Sequence, residues 1–312
     1  MMNSKKPVVL ITGASGFIGR NLVSYLKAKA SPFEIRTLSF LDFKKGIIQP
    51  DFFSGITHFV HAAGIAHRKI TEETLELLKS SEHFFEMILN QLDSSDLEKA
   101  ILLSSYSVSL LEKGLPSDNR EYARSKEKTE NFLKHACESR LTKTEAIILR
   151  PPLVYGPGAP GNFDKLLKIL RLPVLLPLAS LNSSRASIHV LNLCSAIETA
   201  LISPQKAGTG IFEIKDPWKE TLNSFLKGAN TAIRGRAKLV PFPPELLSLF
   251  FEVFGKSSLL QKLTLENTID PSDFISHFDW TPAVSYSDRF SGLASLDNPS
   301  QKLKKSVTNQ VL

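Results

Sequence analysis

The strongest constraint on the fold is the run Thr12-Gly-Ala-Ser-Gly-Phe-Ile-Gly19, which directly follows the apolar Val8-Val9-Leu10-Ile11. A short β-branched run, glycines three residues apart, then Phe17-Ile18 and Leu22-Val23 at helical period spell strand, tight turn, helix. In such a turn the backbone can approach a pyrophosphate closely. The phosphate charge then meets the N–H groups and positive end of the helix. Gly13 supplies the tight turn, Gly16 the close approach and Gly19 the close helix–strand contact. The alternative is an ordinary glycine-rich strand–helix loop. Its place, one strand into the chain and opening a helix, favours a dinucleotide site with Ser15, Phe17 and Ile18 at the ligand.

Further apolar runs follow: Thr57-His58-Phe59-Val60, Ala100-Ile101-Leu102-Leu103 and Ala146-Ile147-Ile148-Leu149. Between them, residues 73–92 and 121–139 carry helical spacing of apolar and charged residues. Strands alternating with helices imply right-handed βαβ units and a parallel sheet, an α/β fold of the doubly wound Rossmann type. The stretch from Ser39 to Thr57 is short, so a trimmed crossover is expected there. After Pro151 the texture changes, with Pro and Gly clustered through Gly161. The expected division is a dinucleotide-binding domain over 1–152 with a return segment near 186–215. A smaller interleaved C-terminal substrate region would span 153–185 and 216–298, and a polar tail 299–312.

At 312 residues and 42% hydrophobic, the chain has ample core for a globular protein. Its net charge of +7 is dispersed except at Lys302, Lys304 and Lys305. No interleaved aromatic-and-basic motif accompanies that charge, which argues against nucleic acid and leaves room for an anionic small molecule. Cys137 and Cys194 lack spaced His or Asp partners, so free buried thiols are expected, with no metal site. The first residues pass straight into a strand without a visible secretory signal, and a cytoplasmic location is expected. Leu246 to Leu263 is apolar but carries Glu252, Lys256 and Lys262, which suits a packed helix better than a membrane span.

Tyr122 and Lys126 stand four apart at the start of a helical stretch, on one face. An ammonium beside a phenol favours its ionised form, so Tyr122 could exchange a proton with an alcohol or ketone oxygen. Ser105, at the end of the preceding strand, could bond the same oxygen. A surface Tyr and Lys would be the plainer reading of that spacing alone. The order glycine loop, serine, tyrosine, lysine favours catalysis.

With these motifs the chain resembles the extended short-chain dehydrogenase/reductase family, in its nucleotide-sugar epimerase, dehydratase and ketoreductase branch. The resemblance covers roughly residues 7–290. It also draws on His61-Ala-Ala-Gly64, Ser104-Ser105 with Val108, Arg150-Pro-Pro-Leu-Val-Tyr-Gly-Pro-Gly158 and Phe278-Asp-Trp-Thr-Pro282. It implies that His61, Ala62 and Ala63 line the cofactor cleft and that Ser105 orients the substrate carbonyl. Tyr122 would be the acid/base, Lys126 would also bind the nicotinamide ribose, and Pro151 to Leu153 would lie beside the nicotinamide. Arg185-Ala-Ser-Ile-His-Val190 resembles the element with which sugar epimerases grip a nucleotide diphosphate, a task suited to a guanidinium fork. Asn162 resembles the family's sugar-nucleotide Asn. A surface ion pair for Arg185 and turn formation for Asn162 are the alternatives. The resemblance also implies a homodimer through residues 73–92 and 121–137.

Two departures bear on the chemistry. Where members that prefer NAD carry an acidic residue ending the second strand, Ser39 stands instead. With Arg36, Lys44, Lys45 and Arg20 near, the cofactor, NADP or NAD, tilts toward NADP. The Asn usual in the helix after the fourth strand is missing, and Ser80 or Ser81 falls near its place. Tyr106-Ser107 follow Ser105 where family dehydratases carry Asp-Glu, which disfavours dehydration. Two reactions at C4 of a UDP-linked, deoxy-amino hexose remain, 4-ketoreduction and 4-epimerisation. A reductase consumes a reducing equivalent and profits from NADP, so Ser39 slightly favours reduction. The run from Arg150 to Phe163 resembles enzymes that prepare such sugars for bacterial surface polysaccharides. A dinucleotide-sensing module without turnover is the remote alternative.

Overall fold

The computed structural model describes residues 6–46, 48–49, 51–64, 71–92, 96–115, 119–204, 209–243, 252, 266 and 268–294. Six strands form the central sheet: β1 (Val8–Thr12), β2 (Glu34–Leu38), β3 (Ile56–His61), β4 (Lys99–Leu103), β5 (Glu145–Arg150) and a later strand, β9 (Gly210–Glu213). Their spatial order is β2-β1-β3-β4-β5-β9, and every pairing is parallel. The winding reverses between β1 and β3. A crevice opens at such a reversal, at the carboxyl ends of the strands.

Period-two alternation sends successive side chains to opposite faces. Val9 and Ile11 of β1, with Ile147 and Leu149 of β5, pack on α1 (Phe17–Ala28) and α7 (Val190–Ile202). Val8, Leu10, Ala146 and Ile148 face α3 (Glu72–Gln91) and α5 (Arg120–Ser139) instead. Burial on both sides explains why these strands read as unbroken apolar runs. The crossover from β2 to β3 is trimmed as expected, to the five-residue α2 (Phe40–Lys44).

Beyond β5 the chain builds a second core. β6 (Leu153–Tyr155) pairs with β8 (Ser187–His189), and β7 (Leu175–Leu176) with β10 (Lys238–Leu239). Tyr155 and Phe163 meet Phe225 and Phe290 between α6 (Asn162–Arg171) and α8 (Leu222–Ala232). The chain returns to the main body through α7, which packs on α1, and through β9 at the sheet edge. The last described helix, α9 (Ser272–Phe278), lays Phe274 and Phe278 against Phe212 of β9. The closing motif is anchored to α7, with Trp280 Nε1 donating to Ser195 Oγ at 3.0 Å.

Cys137 and Cys194 are free and buried. No group of three metal-ligating side chains occurs among the described residues, and no described helix is long and apolar enough to cross a membrane. The tail 299–312 and, apart from Glu252, the stretch 246–263 lie outside the described residues.

Candidate active site

The glycine loop closes on itself and on β3. Gly13 has φ +77°, and a Cβ there would stand 2.5 Å from the Ala63 nitrogen, so the turn needs both the left-handed backbone and the missing side chain. A Cβ on Gly19 would fall 2.2 Å from the Gly13 carbonyl oxygen. The close contact of Gly19 is therefore with the loop itself. Gly16 caps α1, and its N–H donates to Gly13 O at 2.9 Å.

The loop walls a crevice of about 260 Å³, lined also by Ser15, Ser39, Phe40, Ala62, Ala63, Gly64, Leu77, Ser81 and Phe84. Of the expected cofactor residues, Gly13, Ser15, Gly16, Ser39, Ala62 and Ala63 share this wall. Phe17 and Ile18 turn into the core behind it. His61 does not line the crevice. It is 1% exposed, and its Nδ1 is 2.8 Å from Thr12 Oγ1. Burial and the nearby Lys126 ammonium hold it well below its usual pKa, so the ring is neutral. It ties β1 to β3 beneath the ligand wall.

Ser39 caps α2. Its Oγ accepts from the Asp42 N–H at 3.0 Å and donates to Asp42 Oδ2 at 2.5 Å. The Asp42 carboxylate thus stands beside Ser39. Arg36 is spent on Glu34 and the carbonyls of Phe52 and Ser54, while Arg20 reaches Gly158 O. The pattern Ser-x-x-Asp was the available signal for Asp42, a cap with an acidic third residue. Phe40, Leu77 and Phe84 carried no signal, because they look like ordinary helix core.

Asn119 starts α5 by accepting from the Tyr122 N–H at 2.9 Å. Tyr122 then comes one turn before Lys126, and Ser105, which caps α4 (Tyr106–Glu112), lies close enough to its hydroxyl to favour the ionised form. Burial pushes the Tyr122 phenol up to about 12, with Ser105 partly offsetting it. The expected effect of Lys126 on that phenol is absent. Lys126 Nζ donates to Leu103 O at 2.9 Å and to Ala63 O at 3.4 Å, and burial lowers its pKa to about 8. The ammonium thus joins the ends of β3 and β4.

Pro151 is buried at the end of β5, where its carbonyl accepts from Tyr106 N at 3.0 Å, and Leu153 begins β6. Asn162 is the exposed first residue of α6. Arg185 is half-buried, and its backbone N–H donates to Glu220 O at 2.9 Å. Neither is among the residues that line the crevice.

This arrangement can seat a flat dinucleotide between the glycine loop and Ala62–Gly64. Its reacting end would meet a phenol, a hydroxyl and a cation at the carboxyl ends of β3 and β4. A UDP-glucose 4-epimerase of Vibrio cholerae is 27% identical over 309 residues, covering 90% of this chain and 93% of the relative. A ceramide reductase of Caulobacter vibrioides is 26% identical over 307 residues, covering 91% and 88%. Among solved structures, RMD from Pseudomonas aeruginosa complexed with NADPH superposes with a TM-score of 0.67 at 15% identity, covering 92% of this chain and 98% of that one. The sequence profile matching residues 9–214 makes the assignment direct: the chain belongs to the NAD dependent epimerase/dehydratase family.

Proposed function

We propose that the chain transfers hydride at C4 of a nucleotide-linked hexose, acting as a 4-ketoreductase on a UDP-linked keto-sugar. The observation that carries this reading is the Tyr122–Lys126 pair on one face of α5, whose ammonium reaches the Ala63 carbonyl in the wall of the glycine-lined crevice, with Ser105 close to the phenol. Bound there, a nicotinamide dinucleotide supplies the hydride. Ser105 orients the C4 oxygen by a hydrogen bond, and Tyr122 gives that oxygen its phenolic proton. The phenol's high pKa keeps it protonated at neutral pH, the state a reductive step requires. Arg185 and Asn162 are assigned to the nucleotide-sugar, and Arg185→Ala should weaken its binding far more than that of the dinucleotide. Supply of deoxy-amino sugars to surface polysaccharides is the proposed role.

A second reading, 4-epimerisation, is favoured by the Vibrio cholerae relative. Incubation with UDP-hexoses and UDP-4-keto-sugars, followed at the reduced-nicotinamide band, separates the two. Stoichiometric consumption of reduced cofactor means reduction. Interconversion without net consumption means epimerisation. No reaction with any of these sugars overturns both.

For the cofactor, the Ser39–Asp42 pair supports NAD. The Ser39 proton is committed to Asp42, so the pair presents lone pairs and a carboxylate. Ribose hydroxyls can donate to these, whereas a 2′-phosphate brings only further negative charge. Asp42→Ala should shift the NAD/NADP affinity ratio toward NADP by about tenfold or more. Equal ratios before and after would refute the assignment.

A homodimer through α3 and α5 is also proposed. None of the large exposed apolar side chains lies on either helix, and the pair Lys128–Glu82 joins the two within the chain, so a contact through them would be polar. Such a contact weakens as salt rises. Sedimentation should therefore show a dimer that dissociates in high salt, and a monomer at every ionic strength would remove it.

A further inference from the structure

A buried ionic cluster lies behind the reacting set and has no part in the chemistry above. Glu130 follows Lys126 by one turn on the same face of α5 and is 1% exposed. Its Oε1 accepts from the Ser104 hydroxyl and from Arg150 Nε at 2.9 Å, and its Oε2 accepts from Arg150 Nη2 at 2.6 Å. Arg150, the last residue of β5, also holds Glu112 through two bonds of 2.6 Å and Ser109 Oγ at 3.1 Å. One carboxylate thus gathers the ends of β4 and β5 against α5. Ser104, which it holds, immediately precedes Ser105. Burying such charges adds little net stability over apolar packing, so stability alone is a poor reason for the cluster to sit here.

We propose that Glu130 is a positioning residue: clamped by Arg150 and Ser104 one helical turn from Lys126, its carboxylate holds the Ser105 turn in register with Tyr122 and supplies the negative charge that the Lys126 ammonium feels. The proposal rests on the reading of Tyr122, Ser105 and Lys126 as the reacting set. Several groups face Lys126. Glu130 comes from α5 itself, neutral His61 and the Ala63 carbonyl from the end of β3, and the Leu103 carbonyl from β4. Glu130 is the anion in this set, and Arg150 is the cation that competes for it. Removing one or the other should therefore move Lys126 in opposite directions, which a general loosening of the fold would not do.

The test follows the titration of Lys126 by NMR in [ε-13C]lysine-labelled protein, its signal identified by its loss in Lys126→Met. Glu130→Gln should lower the midpoint by about one unit or more, and Arg150→Met should raise it. Glu130→Gln should also lower kcat about tenfold or more with KM little changed. Unmoved midpoints in both variants overturn the proposal, as does a kcat loss with an unmoved midpoint, which would mark a structural role. Should Glu130→Gln fail to fold, Arg150→Met decides by sign, a midpoint unchanged or lowered being fatal. Midpoints that move as expected in a protein that turns over no nucleotide-sugar sink the C4 reading and leave the positioning role standing.

Discussion

A phenol is useful here only where it can lose and regain one proton against a sugar oxygen. Tyr122→Phe removes that proton while keeping the ring. Turnover should fall by about 10²–10⁴-fold. The dinucleotide dissociation constant, measured by fluorescence titration, should stay within error, and retained full activity would refute the assigned role. The Tyr122–Lys126 pair was legible in the sequence because a spacing of four is a purely local fact about a helix. The direction of the ammonium was not. Lys126 turns to the carbonyls of Leu103 and Ala63, partners 23 and 63 residues away in sequence. Spacing on α5 carries no information about where those strand ends arrive. Asp42 was missed for a related reason. Its carboxylate reaches Ser39 only because Ser39 starts a helix, and a five-residue helix has too little periodicity to announce itself.

At the scale of elements, the glycine loop was the most legible part, because backbone conformation and residue type are tightly linked there. Gly13 adopts a φ that L side chains avoid, and it abuts the Ala62–Ala63 backbone. Gly13→Ala should therefore strain the turn and push β1 from β3 together. Thermal unfolding should show a loss of roughly 2 kcal/mol or more. Dinucleotide affinity should fall with it, and an unchanged melting temperature with unchanged affinity would contradict this packing. The strands were legible as apolar runs, since burial on both faces erases their alternation. The crevice wall contributed by α3 was legible only at Ser81, near the place of the family's Asn. Leu77 and Phe84 keep the spacing of a helix that packs on a sheet, and only the placement of α3 beside the loop turns that face into a ligand wall.

At the scale of the whole molecule, one buried carboxylate ties the sheet to the second region. Asp216, 2% exposed just past β9, accepts from Tyr155 OH at 2.9 Å, from the His189 N–H and from Asn192 Nδ2 at 2.7 Å. Asn192 in turn bonds both backbone groups of Val284, in the closing segment. Its neighbours are neutral donors apart from Lys215, and burial outweighs them. The carboxyl is pushed up to about 6 from its ordinary 3.8. The folded state therefore binds a proton that the unfolded chain has already released between about pH 4 and 6. Stability contributed by this group is fully present below that window and lost as pH rises through it, with a slope of at most about 1.4 kcal/mol per unit. His58 and His189, each lowered to about 4 by burial, pull the opposite way over the same range. The informative quantity is thus the difference between the wild type and Asp216→Asn, which keeps an acceptor for Tyr155 but cannot titrate. Denaturant unfolding from pH 4 to pH 7 should show the wild type losing ground steadily to the variant across the window. A difference that stays flat with pH would mean that Asp216 is ionised throughout, and that the joint between the two regions is wetter than its burial indicates.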